Sequence, residues 1–422
     1  MNRFFYLLCT RRFAPIFATS VLGALNDNIL KNTLVILVVF QASSWTTLNS
    51  AIIAPLIGGL FILPFFLFSG LAGELCDTFD KAAIARIIKL LEIFLMTLAT
   101  IGFFLHSFEL LAFIIFGMGL HSTFFGPLKY SILPQHLHDN ELVSANTLME
   151  SGTFIAILMG AILGGVFGQI THGGTIAGLI GTSIAIIGYS ASRTIPPAGS
   201  LAPNILPVRF TIFTQTVRAI GYAYANRTLF FSILSISWFW LYGALFLTYF
   251  PTIVNTTLHA TASLVTVFLT LFTVGIALGS IIYAFLSHHT VRISLIIMGA
   301  MGMGIFGMDF AYCTITFQDT IALFENITLY RLLLDTLLIG ILGGIFSVPL
   351  YTIVQRTSDA TVRSRVIAAN NIFNALFMVA GSLLCMMAIH FGATVSTILG
   401  TLSLTTLLFC LGFVFFNLRY KL

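Results

Sequence analysis

Long apolar runs, separated by short polar segments, follow one another along the whole chain. The runs are about 20 residues long, enough to cross a bilayer as α-helices, whereas membrane β-strands would show alternating stretches of about ten residues. The pattern therefore predicts an all-α integral membrane protein with twelve transmembrane spans. The predicted spans cover residues 13–40, 50–72, 83–105, 108–130, 141–165, 174–192, 228–253, 261–286, 292–313, 329–352, 364–390 and 393–417.

The composition excludes a soluble globular protein. Charged residues make up 8% of the 422 residues, against about 25% in soluble domains, and 58% of the residues are hydrophobic. No small-residue cleavage site closes the first apolar run, so we expect a retained helix rather than a removed signal peptide. The five cysteines show no metal or redox spacing, and we expect neither a metal site nor a cofactor.

Basic residues collect on one side of the predicted membrane. All but two of the 19 lysine and arginine residues, Lys31 and Arg331, fall in or beside the segments of that side. Loops rich in lysine and arginine stay in the cytoplasm, so we expect both termini there, with an even number of crossings.

The longest polar gap divides the chain into two sets of six spans. It contains several prolines and ends in a basic amphipathic stretch from about Phe210 to Tyr224, which we expect to lie along the inner membrane surface. We predict an N-terminal six-helix bundle at 1–193, a cytoplasmic linker at 194–227 and a C-terminal six-helix bundle at 228–422.

The two halves resemble each other in sequence. The segment Phe125-Gly126-Pro127-Leu128-Lys129-Tyr130 returns as Phe346-Ser347-Val348-Pro349-Leu350-Tyr351, and Ser144-Ala145-Asn146 returns as Ala368-Ala369-Asn370 at nearly the same offset. The order is kept and each pair of corresponding spans crosses in the same sense. Two parallel six-helix repeats of this kind resemble the major facilitator superfamily, in which a central site lies between the halves.

Charged side chains interrupt the first span at Asp27 and Lys31, with Asn28 beside them. A charge near the middle of a membrane helix costs about 2.5–3.5 kcal/mol on insertion scales and usually faces a polar cavity. Because Asp27 and Lys31 are four residues apart, they share one helix face. We predict that they line a pathway for a polar or charged substrate; the alternative is a structural ion pair that holds the first span to its neighbours.

Polar residues also occupy corresponding places in the fifth and eleventh spans. Asn146 and Glu150 share one face, and Asn370 and Asn374 share the equivalent face of the other half. Their repeat-related positions predict one cavity lined from both halves. Hydrogen bonding between helices is the alternative, since polar side chains also stabilise helix packing in membranes.

The loop after the second span carries Gly73, Asp77 and Lys81 in the spacing G-x-L-x-D-x-x-x-[KR]. This resembles the signature of the major facilitator superfamily, and the resemblance implies a latch on the cytoplasmic side rather than a substrate ligand. We expect a tight turn at Gly73 and Asp77 at a helix N-terminus or a basic partner. Lys129, at the inner end of the fourth span, is the predicted partner.

Four segments resemble a narrower family. Residues 22–32, 124–134, 141–146 and 237–247 are similar to bacterial lysophospholipid transporters, and the last is most similar to the branch fused to an acyltransferase and an acyl–carrier-protein synthetase. The resemblance implies import, or flipping, of lysophospholipids from the outer to the inner leaflet of the bacterial inner membrane for reacylation. The chain ends at Leu422, so we expect any acyltransferase to be a separate protein.

The residues are compatible with a lipid substrate. Asp27 or Glu150 suits an ammonium group and Lys31 a phosphate. The seventh span carries no charge, and its aromatic residues Trp238 and Tyr242 complete the predicted substrate-binding set. We expect a monomer that meets lysophospholipid and membrane lipids but no nucleic acid.

Three other functions stay open on the sequence. A proton-coupled exporter of drugs or small solutes could use Asp27 or Glu150 as its proton carrier. A membrane acyltransferase needs a histidine with an acid, for which His136 and Glu141 are the nearest pair. A scaffold that docks a lipid-modifying enzyme is the third.

Overall fold

The computed structural model describes residues 3–40, 45, 50–200, 211–288, 290–317 and 323–420, and its regular elements are helices. One-turn helices occur at Arg3–Tyr6 and Leu133–His136, and 3-10 turns at Leu7–Cys9, Asp139–Glu141 and Leu323–Glu325. The longer helices are α1 (Ala14–Phe40), α2 (Ser50–Thr78), α3 (Lys81–Phe104), α4 (Phe108–Ser131), α5 (Leu142–Phe167), α6 (Gly173–Ser192), α7 (Ile212–Tyr224), α8 (Arg227–Thr256), α9 (Ala262–Leu286), α10 (Ile293–Thr316), α11 (Ile327–Thr357), α12 (Arg363–His390) and α13 (Val395–Tyr420).

The twelve predicted spans correspond to α1–α6 and α8–α13, and the all-α membrane fold is confirmed. Within the described ranges, eleven helices are long and apolar enough to cross a membrane, and α13 supplies the twelfth predicted span. The largest differences are at the ends of α2 and α11, which continue past residues 72 and 352 to Thr78 and Thr357. A helix satisfies its own backbone hydrogen bonds in lipid and in water alike, so leaving the apolar region does not end it.

The chain forms two compact units, and each of them is built from three separate segments of the chain. The first contains Met1–Ala145, Ala156–Ile233 and Val354–Ala375, and therefore includes the beginning of α12. The second contains Asn146–Ile155, Leu234–Ile353 and Leu376–Leu422. The domain boundaries predicted at 193 and 227 describe the sequence repeat and stay a prediction.

Close approach through small residues holds neighbouring helices together. Gly160 of α5 lies against α1, because an added Cβ would be 2.6 Å from Asn28 Cβ. In the second unit, Gly275 of α9 lies as closely against α11, with Leu337 O 2.7 Å from the ideal Cβ position. Van der Waals packing of this kind drives helix association in membranes, where lipid is as apolar as the side chains. The apolar core of the first unit is formed by Leu34, Leu37, Val38, Ile57, Met96, Ala99, Phe103, Ile114, Met118 and Ala185, with further neighbours.

The predicted amphipathic stretch is the helix α7. Its buried face carries Gln215, Ala219 and Ala223, and it packs against α2, where Gly70 leaves room for its backbone. Its exposed face is also partly apolar, with Phe213 among its exposed residues. The helix is confirmed, whereas its place on the membrane surface stays a prediction. Arg209 and most of the proline-containing part of the linker lie outside the described residues.

Candidate functional site

The glycine of the loop signature does not form a turn. Gly73 lies inside α2, five residues before the helix ends at Thr78, so the predicted turn at this position is wrong. An added Cβ would be 2.7 Å from Ala368 Cβ and 2.8 Å from Arg365 Cα. The glycine is therefore needed for the close approach of α2 to the beginning of α12.

Asp77, in the last turn of α2, caps the N-terminus of α12. Its Oδ1 accepts a hydrogen bond from the backbone N–H of Ser364 at 2.9 Å, and its Oδ2 accepts one from Arg365 at 3.2 Å. A carboxylate at this place is stabilised by the free N–H groups and by the helix dipole. The predicted contact between Asp77 and a helix N-terminus is confirmed.

The basic partner of Asp77 differs from the predicted one. Arg365 Nε lies 3.9 Å from Asp77 Oδ2, whereas the ammonium of Lys129 lies over the ring of Tyr130 at 4.7 Å. Lys81 begins α3 as a buried residue, and its backbone N–H donates to Ala198 O of the linker at 3.3 Å. The linker and α12 thus both contact the loop, and its role in gating stays a prediction.

Asp27 and Lys31 on α1 make separate contacts. Ser122 of α4 donates to Asp27 Oδ2 at 2.5 Å, and Lys31 Nζ lies 5.6 Å from the centre of the Phe61 ring. Among the described residues the two side chains form no ion pair with each other, and Asp27 Oδ1 has no hydrogen-bond partner. Among the described residues, the direct contact between Asp27 and Lys31 that the alternative requires is not observed, while the electrostatic attraction of Asp27 for Lys31 remains. Asn28 donates to the carbonyl of Ala24 at 2.8 Å.

A charged cluster that the sequence predictions missed lies beside this site. Lys89 and Glu92 of α3 are completely buried, with Nζ and Oε2 2.5 Å apart, and His121 Nε2 lies 3.2 Å from the same oxygen. Asn26 of α1 donates to Glu92 Oε1 at 2.9 Å. Lys89 and Glu92 are two charged residues three positions apart inside an apolar run. Charge inside an apolar run is the signal that identified Asp27, and it could have identified this cluster as well.

Lys89 was counted among the basic residues that orient the chain, and that assignment is wrong. It lies eight residues into α3, roughly 12 Å along the helix axis, and has no exposed surface. The charge of Lys89 is neutralised by Glu92 inside the bundle. Lys89 therefore gives no information about which side of the membrane is cytoplasmic.

The repeat-related polar residues are divided between the two units. In the second unit, Glu150 is buried and Asn146 donates to Thr352 Oγ1 at 3.0 Å. In the first unit, Asn370 is buried and Asn374 is half-buried on α12. For Asn146, hydrogen bonding between helices is thus observed. Cavity lining by these four residues stays a prediction.

The aromatic residues of α8 are used for helix packing. Tyr242 has no exposed surface, and its hydroxyl donates to Met303 O at 2.9 Å. Trp238 donates to Thr406 Oγ1 at 2.9 Å and stacks on Phe409. These contacts favour a structural role for both predicted ligands, and substrate binding by them stays untested.

Two further acids lie in pairs or in the interior. Arg331 pairs with Asp309, and Asp335 is buried. Glu141 pairs with Arg12 at 3.1 Å rather than with His136, which was the predicted histidine partner.

Comparison with protein families finds a match to the model described as the Major Facilitator Superfamily, over residues 16–382. Curated relatives include the lysophospholipid transporter LplT of Enterobacter sp. (strain 638), which is 27% identical over 362 residues and covers 84% of this chain and 83% of its own. The LplT of Serratia proteamaculans (strain 568) is 26% identical over 380 residues, covering 86% and 85%. The narrower resemblance seen in the sequence is confirmed.

Solved structures share the fold. The human organic anion transporter MFSD10 has a TM-score of 0.73 at 12% identity, covering 94% of this chain and 98% of its own. The transporter FucP in its outward conformation has a TM-score of 0.67 at 13% identity, covering 95% and 99%.

Proposed function

Because the chain belongs to the Major Facilitator Superfamily, and is therefore a multi-pass transporter rather than an enzyme, we propose that its substrate is a lysophospholipid. The observation that carries this proposal is the similarity to lysophospholipid transporters over 84% of the chain. Transport runs from the outer to the inner leaflet of a bacterial inner membrane, where an acyltransferase restores the second acyl chain.

The head group is held by α1. Asp27 Oδ1 has no partner among the described residues, so it can accept hydrogen bonds from an ammonium group without breaking an existing contact. Lys31 lies one turn further along the same face, and its ammonium lies over the Phe61 ring. Among the described residues it forms no ion pair, so it can bind the phosphate. A carboxylate and an amine one turn apart match the charges of a zwitterionic head group.

The loop between α2 and α3 acts as a gate. Its support is the pair of hydrogen bonds from the α12 backbone to Asp77, which lock these elements together in one state and must break if α12 moves. The basic side of the protein, with both termini, faces the cytoplasm.

Uptake of fluorescent lysophosphatidylethanolamine into proteoliposomes tests the proposal. Asp27→Asn and Lys31→Ala should each reduce uptake at least about tenfold, equivalent to about 1.4 kcal/mol. The exposed Asp139→Asn carries the same chemical change outside the site and should leave uptake unchanged.

The outcomes separate the alternatives. Full transport by a stable Asp27→Asn/Lys31→Ala double variant would rule out the head-group site. A wild-type protein that carries a soluble drug but no lysolipid would favour the proton-coupled exporter instead.

A further inference from the structure

A group of metal-binding side chains lies in the second unit, where the last part of α10 lies beside the first part of α11. α10 contributes Asp309 and Cys313, which are four residues apart and share one helix face, and α11 contributes Asp335. A carboxylate oxygen of each aspartate and the Cys313 sulfur all lie within 4.8 Å of one another. Neither the head-group site on α1 nor the gate at Asp77 uses these residues.

Two of the three side chains are buried inside the bundle. Cys313 has no exposed surface, and Asp335 is 2% exposed. Oδ2 of Asp335 has no hydrogen-bond partner among the described residues. A buried acceptor without a donor costs about 1–3 kcal/mol, and more when the group is charged. Ionisable residues inside a membrane bundle usually belong to a functional site, so the exposed lone pairs of Asp335 indicate a ligand that this carboxylate binds.

Arg331, one turn before Asp335 on α11, fixes the position of Asp309. Its Nε donates to Asp309 Oδ2 at 3.1 Å, and its Nη2 donates to Oδ1. Carboxylates that bind metal ions are commonly oriented by hydrogen bonds of this kind. Each carboxylate oxygen has a second lone pair, so the contact with Arg331 leaves Asp309 able to bind a cation.

The charges of this group match a divalent cation. The two carboxylates and Arg331 together leave one negative charge, and a bound metal converts the thiol of Cys313 into a thiolate, which adds a second. An ion with two positive charges makes the sum zero. Asp309 and Asp335 lie roughly 10–12 Å along the helix axis from the end of α10 and the beginning of α11. Uncompensated charge is costly at that depth.

The types of ligand select the ion. Ca²⁺ and Mg²⁺ take oxygen ligands, whereas Zn²⁺ binds cysteine sulfur, carboxylate oxygen and water together, usually four in all. With bonds of about 2.0–2.3 Å, the ligand atoms of a tetrahedral zinc site lie about 3.4–3.7 Å apart. Side-chain rotations that bring the three atoms about 1 Å closer therefore suffice. Water and the ion can enter past Asp309, whose side chain is 31% exposed.

We propose that Asp309, Cys313 and Asp335 bind one Zn²⁺ ion, which joins α10 to α11 and stabilises the second unit. The thiol proton passes to water when the zinc–sulfur bond forms, so no other reactant is needed. The ligands come from two helices, and for this reason the spacing of the cysteines along the chain gave no sign of the site. The inference does not depend on which substrate the protein transports.

The zinc content of the purified protein, prepared without a polyhistidine tag, tests the site. After loading with Zn²⁺ and desalting, the wild-type protein should retain one zinc ion per chain, and Cys313→Ala and Asp335→Asn should retain none. Arg331→Gln removes only the group that orients Asp309 and should weaken zinc binding about 10–100-fold. Cys410→Ala changes a buried cysteine of α13 outside the group, and as the matched control it should retain the ion.

Thermal unfolding in detergent distinguishes a zinc site from side chains that only pack. Zn²⁺ should raise the unfolding midpoint of the wild-type protein, because an ion that binds only the folded state stabilises it, and a chelator should remove the increase. Asp335→Asn has no buried charge to compensate, so its midpoint should at least equal that of the chelated wild type and should not respond to Zn²⁺. Co²⁺ used in place of Zn²⁺ should give sulfur-to-metal absorption with the wild type and not with Cys313→Ala.

A wild-type protein that retains no zinc would overturn the proposal, as would equal retention by the wild type and the Cys313→Ala variant. Zinc binding that leaves the unfolding midpoint unchanged would also contradict it, because the ion would then not join the two helices. Cys313→Ala keeps the test decisive if Asp335→Asn does not fold. Lysolipid uptake is not measured in these experiments, so a negative result here leaves the proposed function unaffected.

Discussion

At the scale of single residues, helix spacing shows which side chains can meet, and neighbouring helices decide which do. Asp27 and Lys31 stand four residues apart and could pair, yet Asp27 is bonded to Ser122 of α4 and Lys31 lies over Phe61 of α2. Lys89 and Glu92, three apart, do pair, because Asn26 and His121 complete the shell around them. The presence of charge inside the spans was readable from the sequence, but the partners were not.

The buried pair Lys89–Glu92 predicts a non-additive effect on stability. Lys89→Met or Glu92→Gln alone leaves one buried charge uncompensated and should lower stability by about 3–5 kcal/mol. The double variant removes both charges and should recover most of that loss. Thermal unfolding of the detergent-solubilised protein measures all three. Glu109→Gln, an exposed acid at the start of α4, is the control and should shift the midpoint little. Additive losses in the double variant would show that the two residues do not act as a pair.

At the scale of elements, the junction between α2, the linker and the beginning of α12 depends on side chains that cap helices. Asp80 caps α3 by accepting from Ala82 N at 2.8 Å and also accepts from Ala198 N of the linker. Asp77 caps α12 by accepting from the backbone N–H of Ser364. The signature spacing identified this loop correctly, but it could not show that α2 runs through Gly73 without a turn, because helical glycine and turn glycine look alike in a single sequence.

Loss of the charge at Asp77 should slow transport without preventing folding. Asparagine still caps a helix, so Asp77→Asn removes mainly the electrostatic contact to the N-terminus of α12. We expect uptake to fall about tenfold and lysolipid affinity to change less than about twofold. Rates in proteoliposomes and binding in detergent provide the two measurements. Asp359→Asn, in the exposed loop before α12, is the matched control. An unchanged rate would mean that the contact does not limit the transport cycle.

The close approach of α2 to α12 predicts a steric effect. Gly73→Ala places a methyl group 2.7–2.8 Å from Ala368 Cβ and Arg365 Cα, so α12 must move away. Overpacking of this kind costs about 1–3 kcal/mol. Gly58→Ala, in the same helix but with nothing within 4 Å of the added Cβ, should cost nothing. The difference between their unfolding midpoints is the measurement, and equal midpoints would contradict the packing described here.

At the scale of the whole molecule, the number and order of spans were predictable because a membrane imposes one length on every crossing helix. Orientation rests on the distribution of basic residues, and it remains a prediction even after Lys89 is removed from the count. The grouping of residues 354–375 with the first unit and of 146–155 with the second was not predictable, because it depends on which helix ends pack together.

Thiol labelling tests the orientation. In a background without native cysteines, Gly199→Cys should be protected from an impermeant reagent added outside cells, and Thr261→Cys should react. Both positions are exposed in the fold, so a difference in labelling reports the side of the membrane. Equal labelling of both from outside would contradict an inward-facing basic side.

The sequence by itself determined the class, the twelve spans, the repeat and the two places with chemistry, α1 and the loop after α2. These follow from hydropathy, spacing and local signatures, which each residue carries with it. Only the tertiary structure decided that Arg365 rather than Lys129 meets Asp77, that the Tyr242 hydroxyl donates to Met303 O, and that Lys89, Glu92 and His121 form one cluster beside Asp27. Those outcomes depend on contacts between helices far apart in the chain, and a buried charge is stable only beside the partner that the folded bundle brings to it.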